Sequence, residues 1–244
     1  MINQKNPKKT GNYLDTLLRK ENFYKDSSRN FKKIKDKIKK LYQEWQRDKS
    51  TDSFDFFSVE VNKHVKRGCL RDFNGTSFEE HVYNLITSKL QKSHIQKCFW
   101  VKEDVKNRRE KTNLSLFKNL NYKADLSIYD GDNCKPMCII ECKRFLSYLD
   151  MLLFASFKSL PAFKKVHVFH VVNLYRSWDL TSGQEALKDD IKKYIQYLQT
   201  INPRYHFFKI GNQMWHGKNK NKLPIHQGEY DETLKFIKQL KNLI

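Results

Sequence analysis

Three residues in the stretch "ADLSIYDGDNCKPMCIIECK" could do chemistry together: Asp125, Glu141 and Lys143. They lie inside two apolar, β-like runs, where a carboxylate or an ammonium group is costly unless it is paired or binds a metal. Side chains alternate across a strand, so Asp125 and Ser127 point one way and Ala124, Leu126 and Ile128 the other. Glu141 and Lys143 share a face with Ile139 by the same rule. A hairpin turning about Asn133, entered through Asp-Gly, sets Asp125 directly across from Glu141, with the two Cβ atoms about 5 Å apart. Two carboxylates at that spacing, with the main-chain carbonyl of Cys142, can hold one hard divalent cation. Such an ion polarises a phosphoryl oxygen and lowers the pKa of a bound water. Lys143 then positions that water or neutralises charge on the phosphate, and both roles stay open. These are the groups that phosphodiester hydrolysis needs.

Other sites fail on spacing. "DGDNCKPMCIIE" has acidic ends like a calcium loop, but its sixth position is Lys135, where the sharp turn requires Gly. His167 and His170 sit in a strand with no matching His or Cys pair, and are read as packed histidines. The five cysteines, Cys69, Cys98, Cys134, Cys138 and Cys142, form no CxxC pair and are read as reduced thiols. There is no GxxxxGK[ST] motif, so no nucleotide cofactor is expected.

The chain of 244 residues is long enough for a real core, with 39% hydrophobic residues. Its charge is lopsided: 47 Lys plus Arg against 27 Asp plus Glu gives +20. Phosphates attract such a surface and release counterions on binding, which points to nucleic acid. The longest apolar runs fall short of a membrane span, and "MINQKNPKKTGNY" lacks the apolar segment of a secretory signal. The expectation is a cytoplasmic protein with no membrane association.

Helices and strands must position the three residues. From Asn12 to Asp48 the text is helical and basic; Phe31, Ile34, Ile38, Leu41, Tyr42 and Trp45 form one apolar stripe among lysines. The stripe packs on a core or joins two subunits, and lysines such as Lys35 and Lys39 are solvated or lie along a phosphate backbone. "KSTDSFDF" and "RDFNGTS" read as polar breaks. Thr76 and Glu79 have capping-box spacing, so a helix is expected to start there, with Phe78, Val82, Leu85, Ile86 and Leu90 on one face. "KCFWVKE" reads as a strand, followed by a polar stretch to Asn121. After the hairpin come a helix over Arg144 to Leu160 stopped by Pro161, a strand over Lys165 to Asn173, and a helix over Gln184 to Thr200. A strand over Tyr205 to Ile210 and a helix over Glu229 to Leu243 finish the chain. "GNQMWHGKNKNK" mixes aromatic and basic residues, and Lys218 and Lys220 there are candidate phosphate contacts. The order implies an α/β protein with a mixed central sheet flanked by helices. It divides into a basic helical extension (1–70), a core (71–212) and a terminal loop and helix (213–244).

Asp125, then Glu141-Cys142-Lys143, resembles the D…(E/D)xK motif of the PD-(D/E)xK nucleases, the superfamily that includes most type II restriction endonucleases. Their core order of helix, three strands, helix, strand is similar to the order from Gly75 to Val172, under half of the chain. Ala124 stands where many members have proline. The resemblance implies a restriction-endonuclease-like core and a metal-dependent DNA endonuclease using Mg²⁺, for which Mn²⁺ can substitute, leaving 5′-phosphate and 3′-hydroxyl ends. It also implies a glutamate on the helix before the first strand. Glu79 borders the buried face whereas Glu80 aligns with the wet side, so Glu79 is the expected fourth member. A type II restriction enzyme acting as a homodimer on a short sequence in double-stranded DNA, with a cognate DNA methyltransferase in the host, is the leading expectation. A structure-specific repair or recombination nuclease and a non-catalytic DNA-binding module are the alternatives.

Overall fold

The computed structural model describes residues 14–15, 18–19, 24, 30–66, 69–90, 97–100, 113–117, 120–129, 136–146, 161–175, 184–211 and 231–243. Helix α1, Phe31–Asp48, carries the expected stripe, and Ile38 and Trp45 are fully buried. The stripe therefore packs on the protein's own core. Lys49 ends the helix in the left-handed region (φ 55°), its N–H bonding the Trp45 carbonyl at 2.8 Å.

The two stretches read as polar breaks are helical except at Lys49 and Ser50, which separate two helices. Ser50 is the N-cap of α2, Thr51–His64, its Oγ accepting the Ser53 N–H at 3.1 Å. Phe54, Phe57 and Val61 then recur at three and four residue spacing and are buried. Helix α3, Arg71–Lys89, starts five residues before the expected capping box. Burial of Phe73 against Phe57, ring centroids 5.8 Å apart, outweighs the local preference of Asn, Gly, Thr and Ser for a helix start. Thr76 and Ser77 lie inside the helix and are buried, with Ser77 Oγ bonding back to the Asn74 carbonyl at 3.2 Å.

The main sheet has five strands in the order β1-β4-β5-β6-β7. These are β1 (Lys97–Trp100), β4 (Leu126–Tyr129), β5 (Cys138–Leu146), β6 (His167–Tyr175) and β7 (Tyr205–Lys209). β1/β4 and β4/β5 are antiparallel; β5/β6 and β6/β7 are parallel. The polar stretch to Asn121 holds a strand of its own, β2 (Asn113–Phe117), paired antiparallel with β3 (Leu120–Lys123) in a separate ribbon. The run "YKADLSIYD" is thus two strands, broken at Ala124 and Asp125. Arg144 to Leu146, expected to open a helix, continue β5 because Phe145 and Leu146 still pair with Leu174 and Tyr175. The remainder of that expected helix lies outside the described residues. A 3₁₀ turn at Pro161–Lys165, α4 (Gln184–Ile201) and α5 (Thr233–Leu243) complete the elements.

One core lies between α1, α2, α3 and α5 and the sheet face carrying Leu126, Ile128, Cys138, Ile140 and Phe169. A smaller core on the other face joins Ala124, Ile139, Phe163, Val168, Leu198 and Tyr205. Fully burying one such aliphatic or aromatic side chain is worth about 1.5–3 kcal/mol, so both faces hold the sheet rigid. The α/β class and mixed sheet match expectation. Among the described residues no helix is long and apolar enough to cross a membrane.

Candidate active site

The β4/β5 ladder runs Ile128 to Cys138, Ser127 to Ile139 and Leu126 to Ile140, each pair centred on residue 133 as expected. The ladder stops at Leu126. Where the next rung would come, the Asp125 carboxylate takes the backbone hydrogen bond itself: Oδ2 accepts the Cys142 N–H at 2.9 Å. Asp125 is thereby tied to β5 at the residue between Glu141 and Lys143, by a charge-assisted bond of the stronger kind.

Glu141 is buried to 4% exposure and projects, with Lys143, from the face opposite Cys142 and Arg144. Its carboxylate is hydrogen-bonded to the Tyr122 side chain, and Asp125 also acts on that phenol. Burial first, then the Glu141 and Asp125 carboxylates, hold the Tyr122 hydroxyl protonated well above the ordinary phenol range. Two carboxylates thus converge on one tyrosine, with half-buried Lys143 on the same strand face as Glu141. His170 is the Cα partner of Glu141 on β6; it is buried, and its Nδ1 is 3.0 Å from the Tyr205 hydroxyl. His167 shares a 3.1 Å hydrogen bond with His206, so both histidines pack as expected.

Among the described residues no group of three or more His, Cys, Asp or Glu side chains is arranged to hold a metal ion. Asp125 and Glu141 together could supply two carboxylates to Mg²⁺. That hard cation commonly takes one or two protein carboxylates and completes its shell with water and phosphate oxygens.

Glu79 is buried at 6% exposure on α3, but Glu80 is buried at 7%, so Glu80 does not lie on a wet side even though Thr87 is exposed. Helix α1 covers it: Gln46 Nε2 donates to Glu80 Oε1 at 3.3 Å. Helix α3 packs on the sheet face of Cys138, Ile140 and Cys142, whereas Glu141 projects from the other. On α1, Lys39 is exposed and Lys35 is half-buried with Nζ 6.0 Å from the Phe31 ring centre. Lys37 is bound to Glu60 at 2.8 Å. Lys218, Lys220 and Cys134 lie outside the described residues; Cys69, Cys98, Cys138 and Cys142 form no disulfide among the described residues.

Sequence reasoning gave no role to Tyr122 or Arg144. Tyr122 lies on β3 and Asp125 in the break before β4, so strand alternation within one run could not pair them. Arg144 had a signal, a third charge directly after Lys143 in a buried strand. It is buried on the helix side, donates to Ser58 Oγ, and lies 5.2 Å above the Phe54 ring. Burial lowers its pKa to about 10, opposed by Asp55. Asp55 in turn crowds Gly211 (φ 102°), where an added Cβ would fall 3.0 Å from Asp55 Oδ1 and 2.4 Å from Asn173 Nδ2. The strand bearing Glu141 and Lys143 is therefore pinned to α2 from behind.

The chain matches no known family model and no curated protein.

Proposed function

We propose that this protein is a metal-dependent DNA endonuclease that hydrolyses phosphodiester bonds through Asp125, Glu141 and Lys143. The observation that carries the reading is the Asp125 carboxylate bonded to the Cys142 N–H. It brings the acidic residue just before β4 to the ExK segment of β5. The order of α3, β1, β4 and β5, with β6 parallel to β5, supports a restriction-endonuclease-like core. The basic charge supports a polyanionic substrate.

In this reading Asp125 and Glu141 would hold Mg²⁺ or Mn²⁺, with the Cys142 carbonyl as a further oxygen donor. When bound, the ion polarises the scissile phosphate and lowers the pKa of a water. Lys143 stabilises charge developing on the phosphate or takes up the proton of the attacking water. Buried walls on both sides of β5 keep these groups in one arrangement and strengthen their electrostatics. The reading does not need Glu79.

Residues outside the catalytic strands leave room for sequence-reading elements, so a type II restriction-like enzyme cutting a short duplex sequence is the favoured form. A homodimer would let two sites address both strands, and a partner methyltransferase would protect host DNA.

The test is digestion of long plasmid or phage DNA with Mg²⁺, followed by sequencing of the ends. Discrete fragments sharing one end sequence, with 5′-phosphates, are expected. Asp125→Ala, Glu141→Ala and Lys143→Ala should each abolish cutting, a loss of at least about 10²-fold, while circular dichroism and DNA affinity stay near wild type. Full activity in all three variants removes this site; cutting confined to junctions, flaps or lesions replaces restriction by repair.

A further inference from the structure

The Glu141 carboxylate shares its surroundings with a tyrosine that the chemistry above does not use. Tyr122 lies on β3, outside the main sheet, and its ring is held edge-on against Phe163 with centroids 4.9 Å apart and planes at 79°. Phe163 is fully buried in the 3₁₀ turn, so the ring has a fixed backing and its hydroxyl a fixed place. That hydroxyl is bonded to Glu141, with Asp125 close by. A carboxylate has two oxygens and several acceptor positions, so one hydroxyl donor orients the group and leaves lone pairs for a cation. Partners that hold a metal ligand in one orientation typically change metal affinity by about 10–100-fold when removed.

We propose that Tyr122 is a positioning residue of this site, its O–H donating to Glu141 and fixing that carboxylate toward a divalent cation shared with Asp125. The proposal rests on the metal-site reading of Asp125 and Glu141. It makes the β2/β3 ribbon, which adds nothing to the main sheet, part of the catalytic machinery.

The test titrates the full chain with Mn²⁺ alone, without DNA, following free Mn²⁺ by electron paramagnetic resonance. Tyr122→Phe keeps the ring and its contact with Phe163 and removes only the hydroxyl. It should weaken Mn²⁺ binding by about 10-fold or more, with the circular dichroism spectrum unchanged. In cleavage assays it should need more Mg²⁺ for half-maximal rate yet recover most of the rate at saturation. Phe163→Leu, which loosens the backing and keeps the hydroxyl, should lower the melting temperature and weaken Mn²⁺ far less. Unchanged Mn²⁺ affinity in Tyr122→Phe, with binding lost in Glu141→Ala, would overturn the role of Tyr122 and leave the metal site standing. No Glu141-dependent Mn²⁺ binding in the wild type would overturn the site reading and this proposal together. A Tyr122→Phe protein that fails to fold would also count against it, because the hydroxyl would then serve the fold.

Discussion

His81 shows how a single buried residue ties this protein to acidity. Its Nδ1 accepts the Trp45 indole N–H at 3.3 Å, and its ring stacks on Phe54 with centroids 4.3 Å apart and planes 3° from parallel. Burial, with nearby Arg144 adding repulsion, lowers its pKa to about 3. The unfolded chain binds a proton there near the ordinary value of about 6.5. Between those pH values the unfolded state holds more protons, so stability rises with pH. This contribution is complete above pH 6.5 and is lost as pH falls toward 3, at up to about 1.4 kcal/mol per pH unit. Urea unfolding of wild type and His81→Phe across that window checks it. The variant, which keeps the stack, should lose less stability with acid, although its unpaired indole N–H lowers stability at neutral pH. Parallel pH profiles would show that His81 is not the responsible group.

At the scale of elements, α1 is fastened by its aromatic stripe. Trp45 stacks on Phe57 at 5.3 Å and packs on Phe54 at 5.1 Å, with no exposed surface. Trp45→Ala should cost about 3–5 kcal/mol, the range for emptying a large aromatic site, and denaturant unfolding would measure it. A cost below about 1 kcal/mol would mean that α1 can detach without disturbing the core. Helices α1 and α2, expected as part of a basic helical extension, thus share their core with α3 and the sheet. The break between α1 and α2 is shorter than the sequence suggests, only Lys49 and Ser50, because Ser50, Thr51, Asp52 and Ser53 are as common at helix N-caps and first turns as in loops.

For the whole molecule the charge of +20 decides how it meets a polyanion. Each phosphate neutralised on duplex DNA contributes about −0.9 to the slope of log K against log salt. Several contacts should therefore give a steep titration, and a flat one would contradict nucleic-acid binding. Composition counts every lysine alike, but the fold does not: Lys37 is bound to Glu60 and Lys40 lies 3.9 Å from Glu44, while Lys39 is exposed. Lys39→Ala should reduce the slope by about one contact and weaken binding equally on all sequences. An unchanged slope would move the phosphate-binding surface away from α1.

The strand faces and the register of β4 against β5 follow from the amino-acid pattern alone. Alternation fixes which side chains share a face, and a one-residue slip would have put Leu126 and Ile128 on the wrong side of the sheet. The shared face of Glu141 and Lys143 was legible for that reason, and the stripe of α1 from its three and four residue spacing; the break that takes Asp125 out of the strand was not. Tertiary structure alone decided the rest. Phe73, buried against Phe57, extended α3 through a stretch that looks like a turn, and β6 held Arg144 to Leu146 in a strand that looks like a helix start. Gln46, from a helix far away in sequence, covered Glu80. Tyr122 reached Glu141 because a β-ribbon folds onto the 3₁₀ turn at Phe163, a contact between segments about forty residues apart. Local periodicity carries no information about such pairs, since each side's sequence is satisfied by many partners and only the packed whole selects one.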